Sequence, residues 1–288
     1  PAAGGTPVKL NEPLTMVNEN VSHVDFAPGS RAFYRQSRQG TSALFSVSSD
    51  GATFPIQVDD IFDPVFEEGS VCDYDVASTG NRVVYQADAY DVGVTHIYSA
   101  GVFPGAPGSI QLDPPHISLS TAHSFSIASD GSRVVYVNEG QVYSVPIDGT
   151  VDPVPVGVAP AQGAPLISPD SSLVAYTANY EVFVAPITGG APVLVHSPGP
   201  GQGSFKLFWT PDSSRIVLRT AANYYAALAD GSGAAVALGT SLTTVVAFEI
   251  SPDSRWIIFR GHETPLVHEI FVAELDGSTP TQRLNPPL

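Results

Sequence analysis

A repeated unit of about 40 to 50 residues runs through almost the whole chain and constrains its fold more than any other feature. The clearest copy is 166–195, in which two short apolar runs flank a Ser-Pro-Asp-Ser turn and two more flank a Gly-Gly turn. Proline fixes φ and aspartate bonds its own backbone, so the first turn is well specified. Alternating β-branched and aromatic residues in the runs predict four short strands in each copy.

Six copies follow one another when each is anchored on the residue that opens its first turn. The anchors are Ala27, Ala77, Ala128, Ser168, Thr210 and Ser251, so the spacings are 50, 51, 40, 42 and 41 residues. A period of about 40–45 residues with four strands per period is typical of a β-propeller blade. We therefore predict an all-β fold, a six-bladed β-propeller of four-stranded antiparallel blades.

The six blades divide the chain into one predicted propeller domain, 1–288. Their approximate bounds are 22–58, 72–112, 123–156, 164–195, 205–238 and 246–285. Residues 4–11 (GGTPVKLN) are similar to residues 189–196 (GGAPVLVH), which end the fourth copy, so we predict that they form an additional fourth strand. Such a strand would either cover an open sheet edge or belong to a longer protein from which the chain was cut.

The turn and the strand after it carry a family resemblance. Ser-Pro-Asp or Thr-Pro-Asp occurs at 168–170, 210–212 and 251–253, ahead of Val/Ile-rich and aromatic strands, whereas the first three copies depart from it. This motif resembles the WD40-like PD40 repeat of the TolB family, over about residues 22–285. The resemblance implies a six-bladed propeller in a periplasmic or extracellular setting that binds proteins and performs no chemistry itself. The chain lacks the separate α/β domain of TolB, which puts TolB's own role in doubt.

Charge and composition exclude several classes of protein. The net charge of −16, with only two lysines, excludes a general nucleic-acid binder and favours cationic partners. No apolar run approaches the roughly 18 residues that a transmembrane helix needs, so we predict no transmembrane segment and expect a monomer. The single cysteine, Cys72, begins a strand, and we expect a buried structural thiol.

The first strand of each predicted blade lines the central channel and offers a candidate binding site. Side chains alternate along a strand, so apolar residues such as Val24 and Phe26 should pack between blades while their neighbours face the channel. The candidate binding residues at the channel mouth are His23, Asp25, Asp73, Asp75, Ser126, Lys206 and Glu249. Clustered carboxylates suit a basic peptide or Ca²⁺, although we predict no obligatory cofactor. A hydrated polar channel, or pairing of Asp73 or Asp75 with Lys206, is the alternative interpretation.

Enzyme signatures are absent from the sequence. There is no Gly-x-Ser-x-Gly, no His-Glu-x-x-His, no Walker loop and no cysteine pair. We therefore predict a non-enzymatic binding scaffold with a protein or peptide partner and no catalytic residue. Two alternatives stay open: a lyase or lactonase with a metal held by His23, Asp25, Asp75 and Glu249, and a carbohydrate-binding propeller that uses some of the 11 tyrosines. A tightly bound divalent ion would favour the first, and exposed aromatic rings on one face the second.

Overall fold

A computed structural model describes most of the chain. The described residues are 8–11, 13–14, 19–38, 41–59, 70–88, 94–103, 105–106, 108–113, 124–158, 160–197, 206–219, 224–239, 244–262 and 267–286. This part of the chain contains 24 β-strands and no helix, so none of its elements is a helix that could cross a membrane.

The strands form six four-stranded antiparallel sheets, one after another along the chain. The first two sheets contain β1 (Asn20–Ala27), β2 (Arg31–Arg38), β3 (Thr41–Ser48) and β4 (Ile56–Gln57), then β5 (Val71–Val76), β6 (Arg82–Ala87), β7 (His96–Gly101) and β8 (Ile110–Gln111). The third and fourth contain β9 (Phe125–Ile127), β10 (Arg133–Asn138), β11 (Gln141–Pro146) and β12 (Val154–Pro155), then β13 (Ala161–Ile167), β14 (Leu173–Ala178), β15 (Glu181–Pro186) and β16 (Val193–His196). The fifth and sixth contain β17 (Lys206–Trp209), β18 (Arg215–Arg219), β19 (Tyr224–Leu228) and β20 (Val236–Leu238), then β21 (Thr244–Ile250), β22 (Trp256–His262), β23 (Glu269–Glu274) and β24 (Gln282–Arg283).

Every sheet takes its four strands in chain order, as the blades of a propeller do. The predicted all-β, six-bladed propeller class is thereby confirmed. The chain packs as two compact units, Pro1–Val134 with Val145–Pro153 and Val135–Ser144 with Val154–Leu288, and the division runs through the third sheet.

The second strand of each sheet contributes to the core; in the sixth sheet only one face of β22 is buried, since Ile258 on the other face is 40% exposed. Val135 and Tyr136 in β10, and Ile257 and Phe259 in β22, are all buried, as the sequence predicts. Five sheets stack an aromatic residue of the second strand on one of the third, with ring centroids 5.4–6.0 Å apart: Tyr34 on Phe45, Tyr85 on Tyr98, Tyr136 on Tyr143, Tyr176 on Phe183 and Phe259 on Phe271. These cross-strand pairs fix the register of the two strands.

The turn between the first and second strands has one conformation in all six sheets. Its fourth residue, three after the anchor, always has a positive φ: Ser30 (61°), Gly80 (68°), Gly131 (71°), Ser171 (63°), Ser213 (62°) and Ser254 (59°). A serine is strained there relative to glycine, so its side chain must contribute something. In the second unit it does, because the Asp170 N–H donates to the Ser213 hydroxyl at 3.1 Å and the Asp212 N–H donates to the Ser254 hydroxyl at 3.0 Å. The serine hydroxyl thus joins each turn to the turn of the preceding sheet.

In the first unit a glycine joins successive turns in another way. A Cβ on Gly80 would lie 2.5 Å from the carbonyl oxygen of Pro28, in the turn of the first sheet. Only glycine allows this close approach of two backbones.

The N-terminal segment packs against the first sheet. Residues 8–11 lie in no strand, and the first four residues of the predicted strand 4–11 lie outside the described residues. The side chain of Val8 nevertheless covers Gly51, in the turn after β3, since a Cβ on that glycine would meet Val8 Cγ1 at 2.6 Å. Leu10 packs against the buried cluster that contains Tyr34.

The same contact recurs between successive sheets of the second unit. Val193 in β16 covers Gly231, in the turn after β19, since a Cβ on that glycine would meet Val193 Cγ1 at 2.4 Å. Val8 and Val193 are aligned residues of the two similar segments. Residues 8–10 therefore lie against the first sheet as a fourth strand lies against the sheet that follows it.

Candidate functional site

The first strands of the first two sheets are each interrupted by a β-bulge. The pairing of β1 with β2 shifts between Ser22 and Val24, leaving His23 at a φ of 47°. The pairing of β5 with β6 shifts between Val71 and Asp73. A bulge bends its strand and shifts the alternation of side chains at one point, and regular pairing resumes at Val24 in β1 and at Asp73 in β5.

Two side chains tie the bulged strands together. Tyr74 in β5 donates its hydroxyl to the carbonyl oxygen of His23 at 2.6 Å, and the Tyr74 hydroxyl also lies 3.3 Å from the carbonyl oxygen of Phe33. Arg35 in β2 donates in the other direction, to the carbonyl oxygen of Cys72 at 2.5 Å. Each bulge thus offers a carbonyl group to the neighbouring sheet, and the two strands are held in a fixed relation.

Three carboxylates gather on these strands. Asp73 and Asp75 each accept the N–H of the following residue, at 2.9 and 2.8 Å, and their side chains stay exposed. Burial of the carboxyl group raises the pKa of Asp75, and the charges of Asp25 and Asp73 raise it further. Burial also raises the pKa of the Tyr74 hydroxyl, with Asp25 contributing next. The three charges are therefore close enough to repel one another, and a cation near them would relieve that repulsion.

Apolar side chains of β1 are exposed beside these carboxylates. Val24 is 60% exposed and Phe26 is 69% exposed, so the prediction that they pack between blades is wrong. In β5 the corresponding Tyr74 is buried and Val76 packs against the core, as predicted. The first strand of the first sheet thus offers apolar side chains on one face and Asp25 on the other.

The structure brings only some of the predicted residues together. In the first unit, Asp25, Asp73 and Asp75 interact electrostatically and His23 supplies its carbonyl group. Ser126 is half-buried in the middle of β9. In the second unit, Lys206 and Glu249 are exposed on β17 and β21.

No group of three or more His, Cys, Asp or Glu side chains in the described residues is placed to hold a metal ion. A calcium ion at the carboxylates stays a prediction. The expectation of a buried Cys72 is wrong, because its side chain is exposed at the bulge of β5. Partial desolvation still raises the pKa of its thiol, and Asp88 raises it further.

Two residues that position the site were not predicted as part of it. Tyr74 has the pattern of a core residue and Arg35 that of a surface residue, and neither pattern shows that its polar end binds a neighbouring sheet. A tyrosine at a buried strand position, where an aliphatic residue would pack equally well, is the sequence signal for such a contact, since a buried hydroxyl requires a hydrogen-bond partner.

Comparison with known proteins supports the fold. No protein-family profile and no curated protein sequence matches the chain. Among solved structures, a putative TolB from Agrobacterium tumefaciens is similar over 57% of this chain and 63% of its own, with 25% identity and a TM-score of 0.38. A eukaryotic initiation factor is similar over 91% of this chain and 65% of its own, with 13% identity and a TM-score of 0.61. Prolyl oligopeptidase B from Galerina marginata is similar over 93% of this chain and 44% of its own, with 10% identity and a TM-score of 0.53. The chain thus spans less than two thirds of each of these structures.

Proposed function

We propose that this protein is a non-enzymatic binding module that takes an extended peptide, or an extended segment of a protein, along β1. The observation that carries the proposal is the exposure of Val24 and Phe26 on a strand that also bears Asp25. Neighbouring exposed apolar side chains that are rimmed by polar or charged residues are typical of an interaction surface. The resemblance of the repeats to the TolB family supports a protein partner and a periplasmic or extracellular setting.

The strand order gives the mode of binding. Among the described residues β1 pairs only with β2, so its other edge has no strand partner. An extended peptide can add to such an edge through backbone hydrogen bonds, with its side chains alternating between the two faces of the sheet. One face of β1 presents Val24 and Phe26 and the other presents Asp25. The matching peptide therefore alternates apolar and basic side chains.

The carboxylates of β5 extend the negative charge around Asp25. Burial raises the pKa of Asp75, and the negative charges of Asp25 and Asp73 raise it further. A lysine or arginine side chain near these carboxylates therefore gains favourable Coulomb energy. The net charge of −16 attracts a cationic peptide from a distance, and salt should weaken that attraction.

A direct test is the binding of a capped synthetic peptide that alternates leucine and lysine, measured by fluorescence anisotropy at low and high salt. We expect Phe26→Ser to weaken binding. Phe54→Ser is the matched control, because Phe54 is 84% exposed but lies in the connection between β3 and β4 of the same sheet. Asp25→Asn with Asp75→Asn should weaken binding and flatten its salt dependence. Equal affinity for a leucine–glutamate peptide, or an equal effect of the Phe54 and Phe26 changes, would contradict the proposal.

The same variants also test whether a calcium ion binds at the three carboxylates. An ion held by the three carboxylates would raise the melting temperature of the wild-type protein and compete with the peptide. Both effects should disappear in the Asp25→Asn, Asp75→Asn double variant. If calcium raises the melting temperature of the wild type and the double variant equally, it binds at another place.

A further inference from the structure

One face of the sixth sheet exposes three large aliphatic side chains. Ile258 in β22 is 40% exposed, Ile270 in β23 is 45% exposed and Leu284, next to β24, is 55% exposed. Arg260 pairs with Ile270, and the Leu284 N–H donates to the carbonyl oxygen of Ile270 at 2.8 Å. Side chains two residues apart in a strand share a face, so Ile258 and Arg260 lie on this face together with Ile270. We call it the open face of the sixth sheet.

The equivalent positions of the other five sheets are fully buried. The strand pairing aligns Ile258 with Phe33, Val84, Val135, Ala175 and Val217, and Ile270 with Leu44, Ile97, Val142, Val182 and Tyr224. Another β-sheet covers these positions: Val217 and Tyr224 of the fifth sheet pack in one cluster with Ile257 and Phe259 of the sixth. The open face therefore has the apolar residues of a surface that packs on a β-sheet.

The edge of the open face differs from the edge of the inner sheets. One position of the fourth strand is apolar in the first five sheets and polar in the sixth: Ile56, Ile110, Val154, Val193 and Val236, against Gln282. Val236 covers Gly277 in the turn of the next sheet, and a glutamine cannot supply that apolar contact. The open face thus combines an apolar centre with a polar edge, which is typical of an interface between separate protein molecules rather than of one more sheet in the same stack.

Two opposite charges lie on the open face. Glu249 in β21 pairs with Ile258, so it shares the face with Arg260, and both side chains are exposed. Neither forms an ion pair with another residue in the part of the chain that the structure describes. A two-fold axis that runs between them would bring each one next to the opposite charge of an identical surface. The face is therefore complementary in charge to a second copy of itself.

We propose that the open face binds the open face of a second copy of the chain, in a two-fold symmetric dimer. Ile258, Ile270 and Leu284 form the apolar centre, and Arg260 of each copy lies against Glu249 of the other. Two sheets that pack face to face lie about 10 Å apart, a distance at which side chains of this length interdigitate. The surface uses no residue of the peptide site on β1. The sequence alone predicts a monomer, so the molecular mass in solution decides between the two.

Sedimentation velocity over a range of protein concentrations measures that mass, with a reducing agent present because Cys72 is exposed. We expect the wild type to approach twice the mass of one chain as its concentration rises. Ile258→Lys with Ile270→Lys should keep the mass of a single chain throughout. The matched control is Leu14→Lys with Val151→Lys, which adds the same charge at two side chains that are also exposed, and it should associate like the wild type. Circular dichroism checks that each variant is folded.

Charge reversal tests the two-fold arrangement. Arg260→Glu should raise the dissociation constant of the dimer about 10-fold or more, because it places like charges next to each other at two symmetric positions. Adding Glu249→Arg to that variant should restore the affinity, since the opposite charges then meet again. A wild type that stays a single chain at every concentration overturns the proposal, and so does a dimer that survives Ile258→Lys with Ile270→Lys. Equal weakening by Arg260→Glu with and without Glu249→Arg overturns the pairing of the two charges.

Discussion

At the residue scale, the position with positive φ in the first turn carries different chemistry at Gly80 than at Ser213 and Ser254. Gly80 lies against a backbone carbonyl of the preceding turn, whereas Ser213 and Ser254 accept a backbone N–H from it. A residue in this conformation costs about 1 kcal/mol or more when it is not glycine. The hydroxyl-mediated hydrogen bond offsets that cost at the serines.

The first prediction compares two glycines of similar φ. Gly80→Ala should destabilise the protein by about 2–4 kcal/mol, because the added methyl group meets the Pro28 carbonyl as well as an unfavourable φ. Gly29→Ala is the control, since its φ of 89° is also positive but nothing lies within 4 Å of an added Cβ. It should cost only about 1 kcal/mol. Urea unfolding measures both, and equal losses would show that the close approach at Gly80 does not exist.

The role of a single residue can be predicted from the sequence where the same residue recurs at one position of successive copies of the repeat. An arginine follows the first turn in five of the six copies, and a residue that recurs at one position in this way indicates an architectural role. Arg31, Arg82 and Arg255 each donate to a side chain of the third strand of their own sheet. The acceptors are Ser46 at 2.7 Å, Ser99 at 2.8 Å and Glu274 at 2.9 Å. Two of these partners are serines and one is a glutamate, at sequence separations of 15, 17 and 19 residues, so the sequence pattern alone does not identify them.

At the scale of elements, the strands were predictable and their irregularities were not. Alternation and turn residues are local properties, and they located all six copies of the four-stranded unit. The bulges at His23 and Cys72 carry carbonyl groups that accept hydrogen bonds from Tyr74 and Arg35, which are far away in sequence and which a local pattern does not reveal. The predictions that Phe26 is packed and that Cys72 is buried were wrong, because alternation along one strand does not show whether another sheet covers its side chains.

The second prediction concerns the N-terminal segment as an element. Leu10→Ala should cost about 1–2 kcal/mol, less than a fully buried leucine, because Leu10 only partly enters the cluster around Tyr34. Leu14→Ala is the matched control, since Leu14 is 39% exposed, and should change stability by less than about 0.5 kcal/mol. The free energy of unfolding in urea decides the matter. If the two variants are equally stable, residues 8–10 do not cover the first sheet in the way that a fourth strand covers the sheet that follows it.

At the scale of the whole molecule, aspartates in turns are the most frequent residue type among the described groups whose pKa is shifted. The pKa is lowered for Asp50, Asp148, Asp170, Asp212, Asp230, Asp253 and Asp276. At Asp253 the largest cause is the hydrogen bond from the Ser251 hydroxyl. At Asp212, burial opposes the shift, and hydrogen bonds from Thr210 and Ser214 outweigh it. Among the described aspartates with a shifted pKa, Asp75 is the exception, because its pKa is raised.

The third prediction follows from the direction of these shifts. A carboxyl group whose folded pKa is below its unfolded pKa stabilises the fold above the unfolded value, about 3.9, and loses that contribution as pH falls through the folded value. Wild type should therefore be more stable than Asp212→Asn at pH 6, and the difference should shrink towards zero near pH 2. Asp75→Asn should show the opposite sign at pH 6, because the pKa of Asp75 is raised.

Comparing each variant with wild type at the same pH cancels the general repulsion of a chain with a net charge of −16. Urea midpoints at both pH values supply the measurement. A difference between wild type and Asp212→Asn that is constant with pH would contradict the assignment.

The two kinds of turn contact have a consequence for how such a chain can diversify by copying its own segments. A duplicated or recombined turn from the fifth or sixth copy would bring serine to position 80, and its Cβ would occupy the space of the Pro28 carbonyl. The reverse exchange would bring glycine to position 213 and leave the Asp170 N–H without the Ser213 hydroxyl. Exchange of a turn between copies that make the same contact should therefore leave the protein stable, whereas exchange between a glycine copy and a serine copy should destabilise it. The two kinds of copy should then diverge in sequence independently of each other.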